Sequence, residues 1–357
     1  MRPHVNLERD VTVVAVINNA ISAELTQQDL VERKISLSSV ALILLRDISE
    51  PWMDQCATVV RYPGRPANEL LGQWRFFSFY RAAARLMRSL ERNSNLREIY
   101  LVNNDNLITA HLLSLAESRP TTGVTVVVEG TMNFQEIGIA DRAGWRWRVK
   151  PAIGRLFGFR YREPSAHLSG AFEPRVSRVL SFAAEGLKAP PEKIVLRHFP
   201  TIQPSRQSDP DVALVVLTNW NSCMEPDENE IFARAFVDWV EGSGYRKIQV
   251  KKHPRFYGGV MEALLEKYEE VGSGLTTEEM ATDLEAGTIL GTCSTALVTL
   301  KLIRPDLNCI DYGSDYYCEH AYHGDKSVTT LLSATGVMLV QMGAPRPDHR
   351  ERIETDS

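Results

Sequence analysis

TILGTCSTALVTLKLIRPDLNCIDYG, residues 288–313, carries the pattern that decides the fold. An apolar run of strand length, Thr288 to Leu290, enters a loop of small residues, Gly291-Thr292-Cys293-Ser294-Thr295. Helical apolar spacing follows from Ser294 to Ile303, and a second apolar run spans Asn308 to Asp311. Strand, helix and strand in succession predict a βαβ unit and hence a parallel sheet. Ser294 or Thr295 is placed to cap the helix, so hydroxyls and amides face whatever lies beyond the strand end. That arrangement suits an anion, and simple capping accounts for the same residues equally well.

The same alternation extends in both directions. Upstream lie a strand at Val212 to Leu217, a helix at Glu228 to Glu241, a strand at Lys247 to Lys251 and a helix at Met261 to Glu270. In the first half, strands are expected at Val11 to Ile17, Val40 to Leu45, Glu98 to Val102 and Val124 to Val128, with a long packed helix from Asn68 to Arg92. The stretch Pro200 to Pro210 is rich in proline and serine and has no periodicity, which marks a linker. The expected organisation is α/β: an N-terminal Rossmann-like domain at 1–203, a linker at 204–210, a C-terminal Rossmann-like domain at 211–344 and a polar tail at 345–357. Two domains also suit 357 residues, a length at which one core would be large.

Composition narrows the class further. With 44% hydrophobic and 24% charged residues the chain is an ordinary globular protein, and a net charge of -5 excludes a general nucleic-acid binder. Five scattered cysteines without a C-x-x-C pair argue against a disulfide framework or a zinc site and fit a reducing cytoplasm. The short apolar run near the N-terminus reads as a buried strand, neither a signal peptide nor an anchor. Neither G-x-x-x-x-G-K-[ST] nor G-x-G-x-x-G occurs, so the usual nucleoside-triphosphatase and dinucleotide readings lack their motifs.

Three short segments carry the candidate chemistry. His253-Pro254 follows the strand ending at Lys251, where a histidine can hydrogen-bond or protonate a phosphate and a proline ends the ladder. Ser294-Thr295 follows about forty residues later. Glu129-Gly130 follows the buried run Val124 to Val128 and places a carboxylate at a sheet edge, where it can take a proton from an attacking hydroxyl. Each has a plain alternative as a turn or cap residue.

Four further groups are weaker. Asn104 and Asp105, in the loop after Val102, can meet acceptor hydroxyls or simply cap the next helix. Asn219 and Asn221 follow the first strand of the second half, where a loop borders the nucleotide in such domains. Asp311-Tyr312-Gly313 can pack near a base or ribose. The stretch Arg142 to Arg162 has seven basic residues, several aromatics and no acid. It suits a polyanionic acceptor, with Arg146 and Arg148 as contacts, or an anionic membrane face. The alternative is a helix burying Trp145, Trp147, Leu156 and Phe157 under solvated arginines.

Together Glu129-Gly130, His253-Pro254 and Ser294-Thr295 resemble, in order and spacing, the motifs of the bacterial GT-B sialyltransferases, including the polysialyltransferases. The resemblance spans Val124 to Gly313. It implies a GT-B-like fold with two Rossmann-like domains facing across a cleft. It further implies an inverting, metal-independent transfer of sialic acid, or a related nonulosonic acid, from a CMP-sugar to a glycan hydroxyl. His253, Pro254, Ser294, Thr295, Asn219 and Asn221 would hold the donor; Asn104, Asp105, Arg146 and Arg148 would meet the acceptor; Glu129 and His253 would be catalytic. No cofactor or metal is implied, and no Asp-x-Asp pair of the metal-nucleotide type is read in the chain. The expected partners are a CMP-sugar and a glycan acceptor, and the expected setting is the cytoplasm, with peripheral inner-membrane contact through 142–162, elaborating a bacterial surface polysaccharide.

The sequence departs from this family at one place. The first of two acidic positions before the glycine, the family's base, is Val128 here. Glu129 or a carboxylate such as Asp105 then has to serve. Two other readings stay open: a polyol-phosphate or teichoic-acid-type transferase, and a catalytically degenerate glycan- or nucleotide-binding protein.

Overall fold

The computed structural model describes residues 10–62, 69–103, 106–136, 145–162, 167–218, 224–253 and 259–344, with the backbone alone at 69–76 and 145–148. The chain divides into two compact units, Met1–Ala184 with Lys188–His198, and Glu185–Leu187 with Phe199–Ser357. Each is built on one parallel sheet.

The first sheet has seven strands: β1 (Val13–Ile17), β2 (Val40–Leu44), β3 (Thr58–Arg61), β4 (Glu98–Leu101), β5 (Gly123–Val127), β6 (Arg178–Ser181) and β7 (Ile194–Leu196), in the order β3-β2-β1-β4-β5-β6-β7. The central runs VVAVI and VALIL are buried at every position. A strand covered by helices on both faces needs such an unbroken apolar run, because it has no solvent face for polar residues. Helices α1 (Ala20–Glu32), α2 (Glu69–Arg92), α3 (Leu107–Glu117) and α4 (Trp145–Phe157) lie along the chain between these strands. Asn19 caps α1 in a reciprocal box with Ser22, and Asn106 caps α3 by accepting from the amides of Ile108 and Thr109.

The second sheet has six strands: β8 (Asp209–Val216), β9 (Lys247–Lys251), β10 (Glu269–Glu270), β11 (Ala286–Gly291), β12 (Asn308–Tyr312) and β13 (Met338–Val340), in the order β10-β9-β8-β11-β12-β13. Its helices are α5 (Pro226–Glu241), α6 (Glu262–Lys267), α7 (Thr277–Met280), α8 (Thr295–Ile303), α9 (Ser314–Ala321) and α10 (Ser327–Ala334). Counted from the first strand of each unit, both sheets run 3-2-1-4-5-6, with β7 added in the first. That is the Rossmann order, so each has a switch point where the order reverses: between β1 and β4, and between β8 and β11.

Two expectations change. The helix expected over Met261 to Glu270 ends at Lys267, and Glu269 and Glu270 pair instead with Gln249 and Val250 as the sheet edge. Two exposed acids make a short, charged edge that resists pairing with another chain. In the stretch read as a linker, β8 already begins at Asp209, and residues before it are tied to the second unit. The Ser205 amide donates to Thr282 O (2.9 Å), and the buried guanidinium of Arg304 donates to Ser208 Oγ (2.8 Å).

Candidate active site

In the first unit everything turns on Glu129, two residues beyond β5. Val128 still belongs to the sheet, for its amide donates to Leu180 O (2.9 Å) and its side chain is 0% exposed. A carboxylate there would be a buried charge. At Gly130 the backbone swings to φ 148°, a region that residues with a Cβ avoid, and this turn lifts the chain off the sheet. Glu129 sits at the bend, 7% exposed.

Four asparagines hold it. Asn103 Nδ2, just past β4, donates to Oε1 at 2.8 Å, and Asn18 Nδ2, just past β1, donates to Oε2. Asn19 Nδ2 donates to the Glu129 carbonyl, and the Glu129 amide donates to Asn133 Oδ1 at 3.0 Å. Buried Ser22 fixes the turn at Asn18, its Oγ accepting from the amides of Asn18 (3.0 Å) and Asn19 (3.1 Å). The two loops that flank the switch point, after β1 and after β4, thus both reach the one carboxylate. A Rossmann sheet that binds a dinucleotide keeps this turn open with glycines for a pyrophosphate. Here it is filled by Asn18 and Asn19 and faces an acid, which is a poor place for a phosphate.

In the second unit the strand ends carry donors instead. Ser294 caps α8, its Oγ accepting from the Ala296 amide at 3.3 Å, which leaves its hydroxyl hydrogen free to point elsewhere. Thr295 is the first residue of the helix. The loop before it is fixed from three sides. Gly291 closes β11 against β8, where a Cβ would lie 2.8 Å from Val216 Cγ2. Thr292 Oγ1 donates to Tyr312 O (2.8 Å), and Thr218 Oγ1 donates to Thr292 O (3.1 Å). Cys293 adopts φ 47°, unusual for a residue with a side chain, and its amide donates to Asp311 Oδ2 at 2.6 Å.

His253 is two residues past β9, and β8 alone separates β9 from β11. With strands about 4.8 Å apart, the His253 and Ser294 backbones leave the sheet roughly 10 Å from each other. The two positions therefore flank the end of β8.

Electrostatics separate the ligand-facing groups from the supports. Burial pushes the Asp311 carboxyl up to about 7, while hydrogen bonds from Ser314 and the Cys293 amide pull the other way. Asp311 is fully buried, so it shapes the loop and does not face a base or ribose. Tyr317 is buried too; Tyr312, itself nearly buried, and Tyr316 line a cleft of about 620 Å³ with Asp315, Glu319, His320 and Lys326. Burial, the neighbouring Cys318 and Asp311 raise the Cys293 thiol well above 9, which removes it as a nucleophile. The one Asp-x-Asp triplet, Asp209-Pro210-Asp211, starts β8 at the opposite edge of the sheet, with Asp209 paired to Arg246.

The structure thus brings Glu129 together with Asn18 and Asn103, and sets His253, Ser294 and Thr295 along one sheet edge. Asn18, Asn19 and Asn133 were not singled out from sequence. For Asn18 and Asn19 there was a local signal, since Ile17-Asn18-Asn19 repeats the pattern Val102-Asn103-Asn104, two asparagines after an apolar run, but not for what they meet. Asn104, Asp105, Pro254, Asn219 and Asn221 lie outside the described residues. Arg146 and Arg148 are on α4, their side chains also undescribed. On that helix Leu156 does not face the core. Val149, Ile153 and Leu156 form a stripe 36%, 42% and 75% exposed, while Phe157 packs against Phe77, Tyr80 and Phe159.

A family model described as alpha-2,8-polysialyltransferase (POLYST) matches residues 57–310. The chain belongs to this polysialyltransferase family. The match takes in Glu129, His253 and Ser294-Thr295 and the greater part of both sheets. Among solved structures, LpCGTa in complex with UDP is similar at 11% identity and a TM-score of 0.45, over 96% of this chain and 89% of that one. Arabidopsis thaliana UGT89C1 complexed with UDP-L-rhamnose gives 12% and 0.46 over 92% and 84%. Anabaena Alr3699/HepE in complex with UDP and glucose gives 7% and 0.43 over 91% and 94%. These are distant likenesses, and the fold stands on the strand order itself. A comparison with curated protein sequences finds no match. The polysialyltransferase family is one of glycosyltransferases, which fixes the enzyme class.

Proposed function

We propose that this member of the polysialyltransferase family transfers sialic acid, or a related nonulosonic acid, from a CMP-sugar to a glycan hydroxyl with inversion. The family's description points to the 8-hydroxyl of a terminal sialic acid as acceptor. The acceptor oxygen attacks the anomeric carbon, the bond from that carbon to the CMP phosphate breaks, and the hydroxyl proton passes to Glu129. His253, Ser294, Thr295 and the amides opening α8 stabilise the departing phosphate by hydrogen bonding and the helix dipole. Pro254, Asn219 and Asn221 complete the donor side; Asn104, Asp105, Arg146 and Arg148 belong to the acceptor side. The charge stabilisation needs no metal on this reading.

The observation that carries the proposal is the contrast at the two switch points. One holds a fixed carboxylate, and the other presents hydroxyls, a histidine nearby and a helix N-terminus. Transfer of sialic acid from CMP-sialic acid to a sialylated oligosaccharide, measured with and without EDTA, tests it directly. Turnover lost in Glu129→Gln, retained in EDTA, and thermal stabilisation by CMP but not by CDP-glycerol are expected. Stabilisation by CDP-glycerol alone would favour a polyol-phosphate transferase. No turnover with any acceptor, despite CMP binding, would leave a binding protein, a reading that the buried Val128 keeps in view.

We further infer that α4 meets an anionic lipid surface. None of the described helices is long and apolar enough to cross a membrane. Val149, Ile153 and Leu156 nevertheless share one outward stripe, in a stretch of seven basic residues without an acid. Apolar insertion with basic flanks is how an interfacial helix binds anionic headgroups. The expected location is the cytoplasmic face of the inner membrane, where a surface polysaccharide would be extended.

A further inference from the structure

We propose that Asn18 and Asn103 are positioning residues that clamp Glu129 as the proton acceptor, an inference that rests on the proposed transferase reading. Each amide takes one oxygen of the carboxylate, Asn103 Nδ2 to Oε1 at 2.8 Å and Asn18 Nδ2 to Oε2. The two donors leave from β1 and β4, neighbours in the sheet, so the carboxylate is held across the switch point from both sides. Its backbone is held as well, by Asn19 at the carbonyl and Asn133 at the amide. Few rotamers remain for such a side chain, and the plane of the carboxylate is fixed.

The choice of donor matters. Each carboxylate oxygen can accept two hydrogen bonds, so one N–H on each leaves capacity for an incoming hydroxyl. A lysine or arginine in either place would form an ion pair and compete with the proton being transferred. A neutral amide orients without that competition. The Asn18 side of the clamp is itself supported, because Ser22 Oγ ties the Asn18 and Asn19 amides to the first turn of α1. The clamp and the helix cap are therefore one unit, and the base is referenced to the rigid sheet and not to a loop. This arrangement also offers a reason why the base stands at 129 in this chain: the residue before it is committed to the sheet, and both amides aim at the next position.

The test is a double-mutant cycle on purified full-length protein with CMP-sialic acid and a sialylated oligosaccharide. Asn103→Ala and Asn18→Ala are each expected to lower kcat roughly 10- to 100-fold, the loss of one charge-assisted hydrogen bond, with KM for the donor changed less than about threefold. CMP affinity by calorimetry should be unchanged, which a general loss of structure would not allow. In a Glu129→Ala background, adding Asn103→Ala should cost less than about threefold more, because the amide acts only through the carboxylate. Asn103→Asp, which keeps the shape but replaces the donor with a like charge, should be at least as slow as Asn103→Ala. It also serves where the alanine variant folds poorly. Wild-type kcat in Asn18→Ala and Asn103→Ala alongside an inactive Glu129→Gln would overturn the clamp and leave the base. A loss that persists in full in the Glu129→Ala background would also overturn it. Full activity in Glu129→Gln would remove the base itself.

Discussion

Asp311 gives the sharpest prediction, because its effect on stability has a fixed sign and a definite pH window. Its carboxyl is fully buried at the end of β12, where burial raises it from 3.8 to about 7. Asp315 pushes in the same direction, and Ser314 and the Cys293 amide oppose it; the Cys293 thiol close by, raised by burial, stays neutral throughout. The folded protein therefore keeps this proton up to about pH 7, while the unfolded chain gives it up near pH 3.8. Between those values the folded state binds more protons, so this group's contribution to stability falls as pH rises and levels off above pH 7. At about 1.36 kcal/mol per unit, the full swing is of order 4 kcal/mol. Asp311→Asn keeps an oxygen to accept from the Cys293 amide and has nothing to titrate. Thermal unfolding of both proteins from pH 4.5 to 8 should show the variant gaining on the wild type through that range, with a plateau above about pH 7.5. Taking the difference cancels every other titrating group. A difference that stays constant within about 0.5 kcal/mol would refute the assignment. Asp311→Ala adds a second readout: without an acceptor for its amide, Cys293 has less reason to hold φ 47°, and CMP should bind more weakly than to Asp311→Asn.

Three other outcomes are expected. His253→Ala should weaken CMP binding by about 1.5–3 kcal/mol, the worth of a hydrogen bond to a charged group, and calorimetry showing no change would remove His253 from the donor site. Gly130→Ala, forced to hold φ 148°, should cost about 1–3 kcal/mol or shift the bend; either way turnover should fall while CMP affinity holds, and unimpaired kcat would show that the bend does not place Glu129. Leu156→Glu should reduce co-sedimentation with phosphatidylglycerol vesicles several-fold without changing turnover on a soluble acceptor; a wild-type protein that stays in the supernatant would sink the lipid contact.

The βαβ rhythm was legible because buried parallel strands must be apolar throughout: VVAVI at β1 and VALIL at β2 leave no other element to choose. Short strands at the sheet edges were not. β7 and β10 run to a few residues, and β10 is two glutamates, so no apolar pattern announces it. At the site, Glu129, His253 and Ser294 could be proposed because each follows such a run. The clamp on Glu129 could not, since its donors come from positions 18 and 103, and only strand order shows that β1 and β4 are neighbours. On α4 the sequence left two readings, a basic-aromatic surface or a core face; a helix pattern does not say which apolar residues find a partner, and Leu156 finds none in the core.

Both units have the same strand order around their switch points, so topology cannot say which one takes the nucleotide. On the proposed reading the side chains make the difference. At the first switch point a carboxylate fills the turn, with Asn18 and Asn103 each donating to it and Asn19 to its backbone carbonyl; a phosphate arriving there would meet a like charge. At the second, Thr292 and the Cys293 amide are spent on Tyr312 and Asp311, deeper in the sheet, and this holds the loop so that Ser294 opens the helix beyond them. Donors committed inward support donors left outward. On the proposed reading, then, proton acceptance and phosphate departure fall to residues of different sheets for an electrostatic reason: a carboxylate that must receive a proton and a phosphate that must carry off charge would destabilise each other at a single switch point.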